Sequence, residues 1–249
     1  MVLIRCQGIV FQDIQAVFWD KDGTLANSEG FLWKLAERRS HQIDRQIPGT
    51  QTALLRAFGV DRQHLDPTSL MAVGSRRENE VAAAAYIAEQ GYGWIESLEI
   101  AQQAFKAADQ DLPKAPHTPL VPGALDLLQV LAQSNVKQGI LSSDSTAHVE
   151  EFTQTYSLGA YFQLQWGSDR HPNRPPKPHP DFLRDACDAL QVFPQRTLLI
   201  GDSAADVQMA RGGAIAGFIG IRAGWSRPFI LDADVVCDRF QQIQVDRMG

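Results

Sequence analysis

The sequence predicts an α/β protein, a doubly wound parallel sheet interrupted by an inserted all-α segment. Three observations carry this. Short apolar runs, Ala16-Val17-Phe18-Trp19 and Thr197-Leu198-Leu199-Ile200 among them, stop at Asp and Gly, as strands buried on both faces of a parallel sheet do. From Pro122 onward such runs alternate with segments that are apolar at helical spacing, the signature of successive βαβ units. Between residues 20 and 137 lie about 115 residues, whereas a βαβ unit needs roughly 30, so the excess has a fold of its own.

Along the chain, Ile9-Val10-Phe11 followed by polar Gln12-Asp13 predicts an added edge strand or hairpin, and 16–19 the first buried strand. Phe31, Leu32, Leu35 and Ala36 share one helical face, and 80–88 and 95–108 continue the helical pattern. The aromatics Phe31, Trp33, Tyr86, Tyr92 and Trp94 are expected to fill the core of this insert. Residues 111–119 read as its return linker, because prolines stiffen the chain and end helices. The expected division is therefore an α/β core over 1–28 and 116–249, with a helical domain over 29–115. Within the core, Leu125, Leu127, Leu128, Val130 and Leu131 predict a helix, 137–141 a strand, 146–156 a helix and 162–166 a strand. A Pro- and Asn-containing loop over 171–178 leads into a helix at Pro180, a residue well tolerated in the first helical turn. Residues 197–200 form the next strand, 203–213 a helix stopped by Gly212-Gly213, and 216–221 and 233–237 the last strands.

Composition narrows the function classes. At 249 residues the chain has ample length for a large core, and 44% hydrophobic with 21% charged residues excludes a disordered chain. The net charge of −6 excludes non-specific nucleic-acid binding, which needs clustered Lys and Arg. Cys6, Cys187 and Cys237 are far apart, odd in number and in no CxxC pair, so they read as reduced, mostly buried thiols. The apolar run at the N-terminus breaks too early for a signal peptide, and no stretch approaches the roughly 18 apolar residues of a membrane span. The expectation is a cytoplasmic protein without a membrane or nucleic-acid partner, a monomer or a weak homodimer.

The chemistry concentrates at strand ends. Asp20-Lys21-Asp22-Gly23-Thr24 follows the first strand, and ligand sites of open α/β sheets lie beyond such carboxyl ends. Gly201-Asp202-Ser203-Ala204-Ala205-Asp206 follows another strand, with Asp206 one helical turn beyond Asp202. Alone, Asp202 reads equally as a helix N-cap. Neighbouring strands would gather these carboxylates, and like charges that close need a cation among them. Hard oxygen donors at an open site favour Mg²⁺. Ser142, with Ser143 next, ends the 137–141 strand and reads either as a phosphate-oxygen site or as part of a helix cap. Lys177 stands in the rigid Arg174-Pro175-Pro176-Lys177-Pro178 loop, although a surface position is the usual fate of a lysine. Gly74-Ser75-Arg76-Arg77-Glu78 opens a helix in the insert; there an Arg reads either as a contact to an anionic group or as part of a solvated charge run.

Taken together these motifs resemble the haloacid dehalogenase-like hydrolases, a superfamily with a Rossmann-like core, and in style its phosphoglycolate-phosphatase-like members with a helical cap inserted after the first motif. Asp20-Lys21-Asp22-Gly23-Thr24-Leu25 looks like the first motif and Ser142 the second; Lys177-Pro178-His179-Pro180 looks like the third and 201–206 the fourth. Lys21 stands where an apolar residue is commoner and Asn27 where Asp is frequent. The resemblance implies that Asp20 attacks phosphorus to give an aspartyl-phosphate, and that Asp22 acts as acid and then base. It implies further that Asp20, Asp202 and the Asp22 carbonyl hold Mg²⁺, that Asp206 supports that shell and holds Lys177 or a water, and that Ser142, Ser143 and Lys177 bind phosphate. The implied activity is Mg²⁺-dependent hydrolysis of a small phosphorylated metabolite in a cleft closed by the cap. The rivals are a phosphomutase of the same superfamily and a non-catalytic phosphate- or metal-binding regulatory protein.

Overall fold

A computed structural model describes the chain except for residues 1, 63, 111, 113, 171–174, 228, 230, 248 and 249. It divides into two compact units, Met1–Asn27 with Pro119–Gly249, and Ser28–Thr118. The strands in chain order are β1 (Val2–Cys6), β2 (Ile9–Phe11), β3 (Ala16–Trp19), β4 (Val60–Asp61), β5 (His64–Leu65), β6 (Lys137–Leu141), β7 (Leu164–Trp166), β8 (Thr197–Gly201), β9 (Gly217–Ile221), β10 (Val235–Cys237) and β11 (Ile243–Arg247). The helices are α1 (Glu29–Asp44), α2 (Gln51–Ala57), α3 (Leu70–Val73), α4 (Arg76–Glu89), α5 (Trp94–Gln110), α6 (Ala124–Gln133), α7 (Thr146–Thr155), α8 (Pro180–Leu190) and α9 (Ala204–Gly213).

The first unit is built on a parallel six-stranded sheet in the order β10-β9-β8-β3-β6-β7. Its apolar runs are strands because both faces are covered. Val17 and Trp19 of β3 pack into one buried cluster with α6 and α7, and Ala16 and Phe18 into the other with α8 and α9. The chain winds outward from β3 through β6 to β7, then returns to β8 and winds the other way. The strand order thus reverses beside β3, where open α/β sheets place their ligands.

The segment 9–11 is a strand, but not in this sheet. It lies in a separate antiparallel sheet, β11-β1-β2, where Cys6 pairs with both Ile9 and Ile243. The segment 162–166 narrows to β7, because a 3-10 turn over Gly159–Tyr161 delivers Phe162 to the core before the strand begins. Helix α9 ends at Gly213, where the sequence places its stop, but the left-handed cap is Ala214 (φ 52°) and neither glycine takes that conformation. Both glycines instead admit α8, since a Cβ at 212 would lie 2.9 Å from Pro180 and one at 213 would lie 2.8 Å from Leu183. Half of the 171–178 loop, Arg174 included, lies outside the described residues, as do 111 and 113 of the return segment, which carries a 3-10 turn over Ala115–His117.

The second unit packs α1 to α5 with the short β4–β5 pair. Phe31, Leu54, Phe58 and Phe105 are buried in it, and the Phe58 and Phe105 rings meet edge-on at 6.2 Å. The aromatic expectation holds for Phe31 only in part of its list. Trp33, Tyr86 and Tyr92 are half-buried, and Trp94, in the opening turn of α5, is exposed. Arg39 is buried over the Phe105 ring at 4.3 Å, and its guanidinium donates to Asp109 at 2.9 Å. Arg76 is bonded to Glu80 at 2.9 Å and to Asp109, so it braces α4 against α5, while Arg77 lies 3.8 Å from Glu80. Among the described residues no helix is long and apolar enough to cross a membrane.

Candidate active site

The register of the central strands decides what meets at the carboxyl edge of the sheet. Trp19 pairs with Ile200 on one side and Ile140 on the other, and the Asp20 amide donates to the Ile200 carbonyl at 2.9 Å. Asp20, Asp202 and Ser142 therefore leave three adjacent strands at one end. Asp206 is brought there by the first turn of α9. Ser203 Oγ accepts from the Asp206 amide at 3.2 Å, and Asp206 Oδ2 accepts from the Ser203 amide at 3.2 Å and hydroxyl at 2.6 Å, a capping box. Lys177 arrives from the loop ahead of α8, its side chain only 1% exposed, and donates to Asp20 Oδ1 and Asp206 Oδ1 at 2.6 Å each.

Carboxylate oxygens of Asp20, Asp202 and Asp206 lie within 4.8 Å of one another, all buried. Three carboxylates against one ammonium leave two negative charges without a counterion. The titration behaviour follows. Burial first, and then the Asp206 charge, push the Asp20 carboxyl up to about 6 against the opposing pull of Lys177. Burial and the charges of Asp20 and Asp206 hold Asp202 well above the usual carboxylate range. Burial presses Lys177 toward its neutral form, but the two carboxylates outweigh it and leave the ammonium more basic than an ordinary lysine.

The donor set suits a hard divalent cation. All its atoms are oxygens, and Asp20 Oδ2 is buried with no hydrogen-bond partner among the described residues. Asp206 Oδ1 faces the Lys177 ammonium and its Oδ2 accepts two bonds from Ser203, whereas each Asp202 oxygen accepts a single bond from a neutral donor and keeps a lone pair, so Asp20 and Asp202 are the carboxylates better placed to ligate.

Asp202 is held by two donors to which the sequence reading gave no role. Thr24 Oγ1 donates to Oδ1 at 2.9 Å, and Trp225 Nε1 donates to Oδ2 at 2.7 Å. Thr24 belongs to the first acidic motif, so its position was visible. Trp225 lies in a loop after β9, at no spacing that marks a motif. Two glycines let these loops close. Gly23 has φ +85°, and a Cβ there would stand 2.2 Å from Asp202 Oδ2; a Cβ at Gly224 would stand 2.2 Å from the Gly23 carbonyl oxygen.

The Asp22 carboxylate is not in the acidic cluster. Its Oδ2 accepts from Lys21 Nζ at 2.6 Å, and Lys21 is buried and lies 3.2 Å from Asp144 Oδ2. Ser142 is buried and its Oγ accepts from the Asp144 amide at 3.1 Å, a bond that shapes the loop after β6, while Ser143 is half-buried beside it.

Known proteins share this architecture. A phosphoglycolate phosphatase of Salmonella typhi is 22% identical over 235 residues, covering 93% of this chain and 92% of its own. Two solved structures superpose on nearly all of the chain. One, from Haemophilus somnus 129PT and assigned as a phosphoglycolate phosphatase, has a TM-score of 0.67 at 19% identity, covering 92% of this chain and 96% of its own. The other, from Thermotoga maritima and assigned as a β-phosphoglucomutase, has a TM-score of 0.62 at 18% identity, with the same coverage of 92% and 96%. At these identities the structures speak for the fold alone. The sequence profile of one family matches residues 14–213, a span holding Asp20, Ser142, Lys177, Asp202 and Asp206 in order, and with it the chain belongs to the haloacid dehalogenase-like hydrolases.

Proposed function

We propose that the protein is a Mg²⁺-dependent phosphatase that hydrolyses a small phosphomonoester through an aspartyl-phosphate on Asp20. One observation carries the reading. A buried carboxylate is fixed through one oxygen by a buried ammonium, while its other oxygen has no hydrogen-bond partner among the described residues. That is a positioned nucleophile. Asp20 Oδ2 bonds to phosphorus as the ester P–O bond breaks, and Asp22 gives its proton to the leaving alcohol oxygen. Asp22 then takes a proton from water as the water oxygen attacks phosphorus. The Asp20–phosphorus bond breaks and inorganic phosphate leaves. Lys177 supports both steps by holding Asp20 and offering positive charge to the phosphoryl oxygens, with Ser142 and Ser143 as further partners for those oxygens. Asp20, Asp202 and the Asp22 carbonyl would hold Mg²⁺, which when bound neutralises charge on the phosphoryl group and on the carboxylates.

The substrate is inferred from the relatives. Phosphoglycolate stands first because it names the curated proteins that match this chain at 22–23% identity. The three buried, unpaired cysteines support a reducing compartment such as the cytoplasm. A panel of phosphomonoesters assayed for phosphate release tests the reading. Release is expected with Mg²⁺ and is expected to vanish on chelation. Transfer to a second sugar hydroxyl in the presence of a bisphosphate primer, without net release, identifies a mutase instead.

Trp225 supplies a further expectation. Its indole N–H aligns Asp202 Oδ2, and such supports of a metal ligand typically account for about 10–100-fold in affinity. Trp225→Phe should weaken Mg²⁺ binding by roughly that factor in calorimetry. Unchanged affinity would mean the indole is packing alone.

A further inference from the structure

We infer that Lys21 is a positioning residue that fixes the acid/base carboxylate Asp22 to the loop after β6. This rests on the reading of Asp22 given above. Lys21 has no part in the cluster around Asp20, yet its side chain is 1% exposed, a place where an apolar residue would fill the space at lower cost in desolvation. What the ammonium adds is a link. Nζ donates to Asp22 Oδ2 at 2.6 Å and lies 3.2 Å from Asp144 Oδ2, with the Phe152 ring 5.8 Å away. Asp144 is itself anchored: its amide donates to Ser142 Oγ at 3.1 Å and its Oδ1 accepts from the Ser145 amide at 2.9 Å. The loop that follows β6 thereby sets the position of Asp144, Asp144 sets Lys21, and Lys21 sets Asp22. In one geometry the segment carrying Ser142 and the group that hands a proton to the leaving oxygen are held together. Misplacement of an acid by about an ångström costs far more in rate than in binding.

The test separates positioning from packing by the leaving group. An alkyl phosphomonoester needs protonation of its departing oxygen; p-nitrophenyl phosphate, whose phenolate leaves unaided, does not. Lys21→Met should lower kcat on the alkyl ester at least about tenfold more than kcat on p-nitrophenyl phosphate, with KM for both shifted little. Equal losses on the two substrates, or no loss, overturn the inference. If Lys21→Met does not fold, Asp144→Asn breaks the same link from its far end. The same selective loss is then expected in smaller measure, and equal or absent loss again overturns it. Asp22→Asn run alongside keeps the two readings apart. Selective loss in Asp22→Asn without it in the Lys21 variant sinks the Lys21 role alone, and absence of selectivity in Asp22→Asn sinks the acid/base reading of Asp22.

Discussion

Asp20→Asn is expected to end turnover, with phosphate release falling on the order of 10⁴-fold or more, while the protein remains folded. The amide nitrogen or oxygen that replaces Oδ2 cannot form the acyl-phosphate bond the proposed mechanism needs, and neither other carboxylate of the cluster is free to replace it. Asp206 is engaged by Lys177 and Ser203, and Asp202 by Thr24 and Trp225. Intact protein, incubated with substrate and quenched in acid, should carry one phosphoryl group in the wild type and none in the variant. Turnover unchanged in Asp20→Asn would reject the nucleophile and leave a non-catalytic or differently catalysed protein.

The same substitution has a stability signature in chelator, and its sign follows from the titration of Asp20. Its folded-state pKa, about 6, lies above the ordinary aspartate value of 3.8, so the ionised form is the one the fold disfavours. Without a cation, stability is therefore greatest below the unfolded-state value and falls as pH rises through the interval from about 4 to about 6. Asp202, raised for the same reason, adds to the trend. Thermal unfolding of wild-type protein in chelator should improve on going from pH 7 to pH 5, and added Mg²⁺ should flatten that slope by supplying the missing positive charge. Asp20→Asn, neutral at every pH, should show a shallower slope than the wild type. A wild-type slope of opposite sign would mean that the carboxylates are better compensated than their burial implies.

How much of this was legible beforehand depended on burial. Strands β3 and β8 announce themselves because covering both faces demands unbroken apolar runs, and their ends are marked by Asp20 and Asp202. The terminal strands β1 and β11 went unread. They alternate weakly, Val2 and Val245 being only half-buried, and their pairing joins the two ends of the chain, a contact no local window shows. The meeting of Asp20, Lys177, Asp202 and Asp206 could be anticipated because each stands at a strand end, a helix start or in a rigid loop, where backbone geometry dictates position. Trp225 and Lys21 could not. Trp225 acts through one hydrogen bond to Asp202 and Lys21 through an ammonium shared between Asp22 and Asp144, and side-chain reach leaves no period in a sequence. Arg76 shows the converse, since its place at a helix start is equally suited to gripping an anion or bracing a neighbour, and its partners Glu80 and Asp109 decide for bracing.

Lys177→Met should damage both stability and activity, and the two losses should separate with metal. Lys177 is the ammonium on which Asp20 and Asp206 both depend, and all three groups are buried. Removing one partner of a buried ionic cluster leaves uncompensated charge and costs about 3–5 kcal/mol, far more than the cluster contributes relative to apolar residues. Methionine keeps most of the lysine's length and volume, so packing is not the cause. In chelator the variant should unfold well below the wild type, and lowering the pH, which neutralises the carboxylates, should recover part of the difference. Mg²⁺ should recover more, because it would bring two positive charges to a cluster left without its ammonium. Activity should not return with it. Loss of a charge aimed at the phosphoryl oxygens costs roughly 10²–10³-fold in kcat, and a cation held by Asp20 and Asp202 would not supply the N–H donors that Nζ places between Asp20 and Asp206. Recovery of stability without recovery of kcat is therefore the expected pattern. Recovery of both would reduce Lys177 to a structural counterion, and loss of neither would show that the buried carboxylates carry their protons at neutral pH, which would remove the charge on which the nucleophile depends.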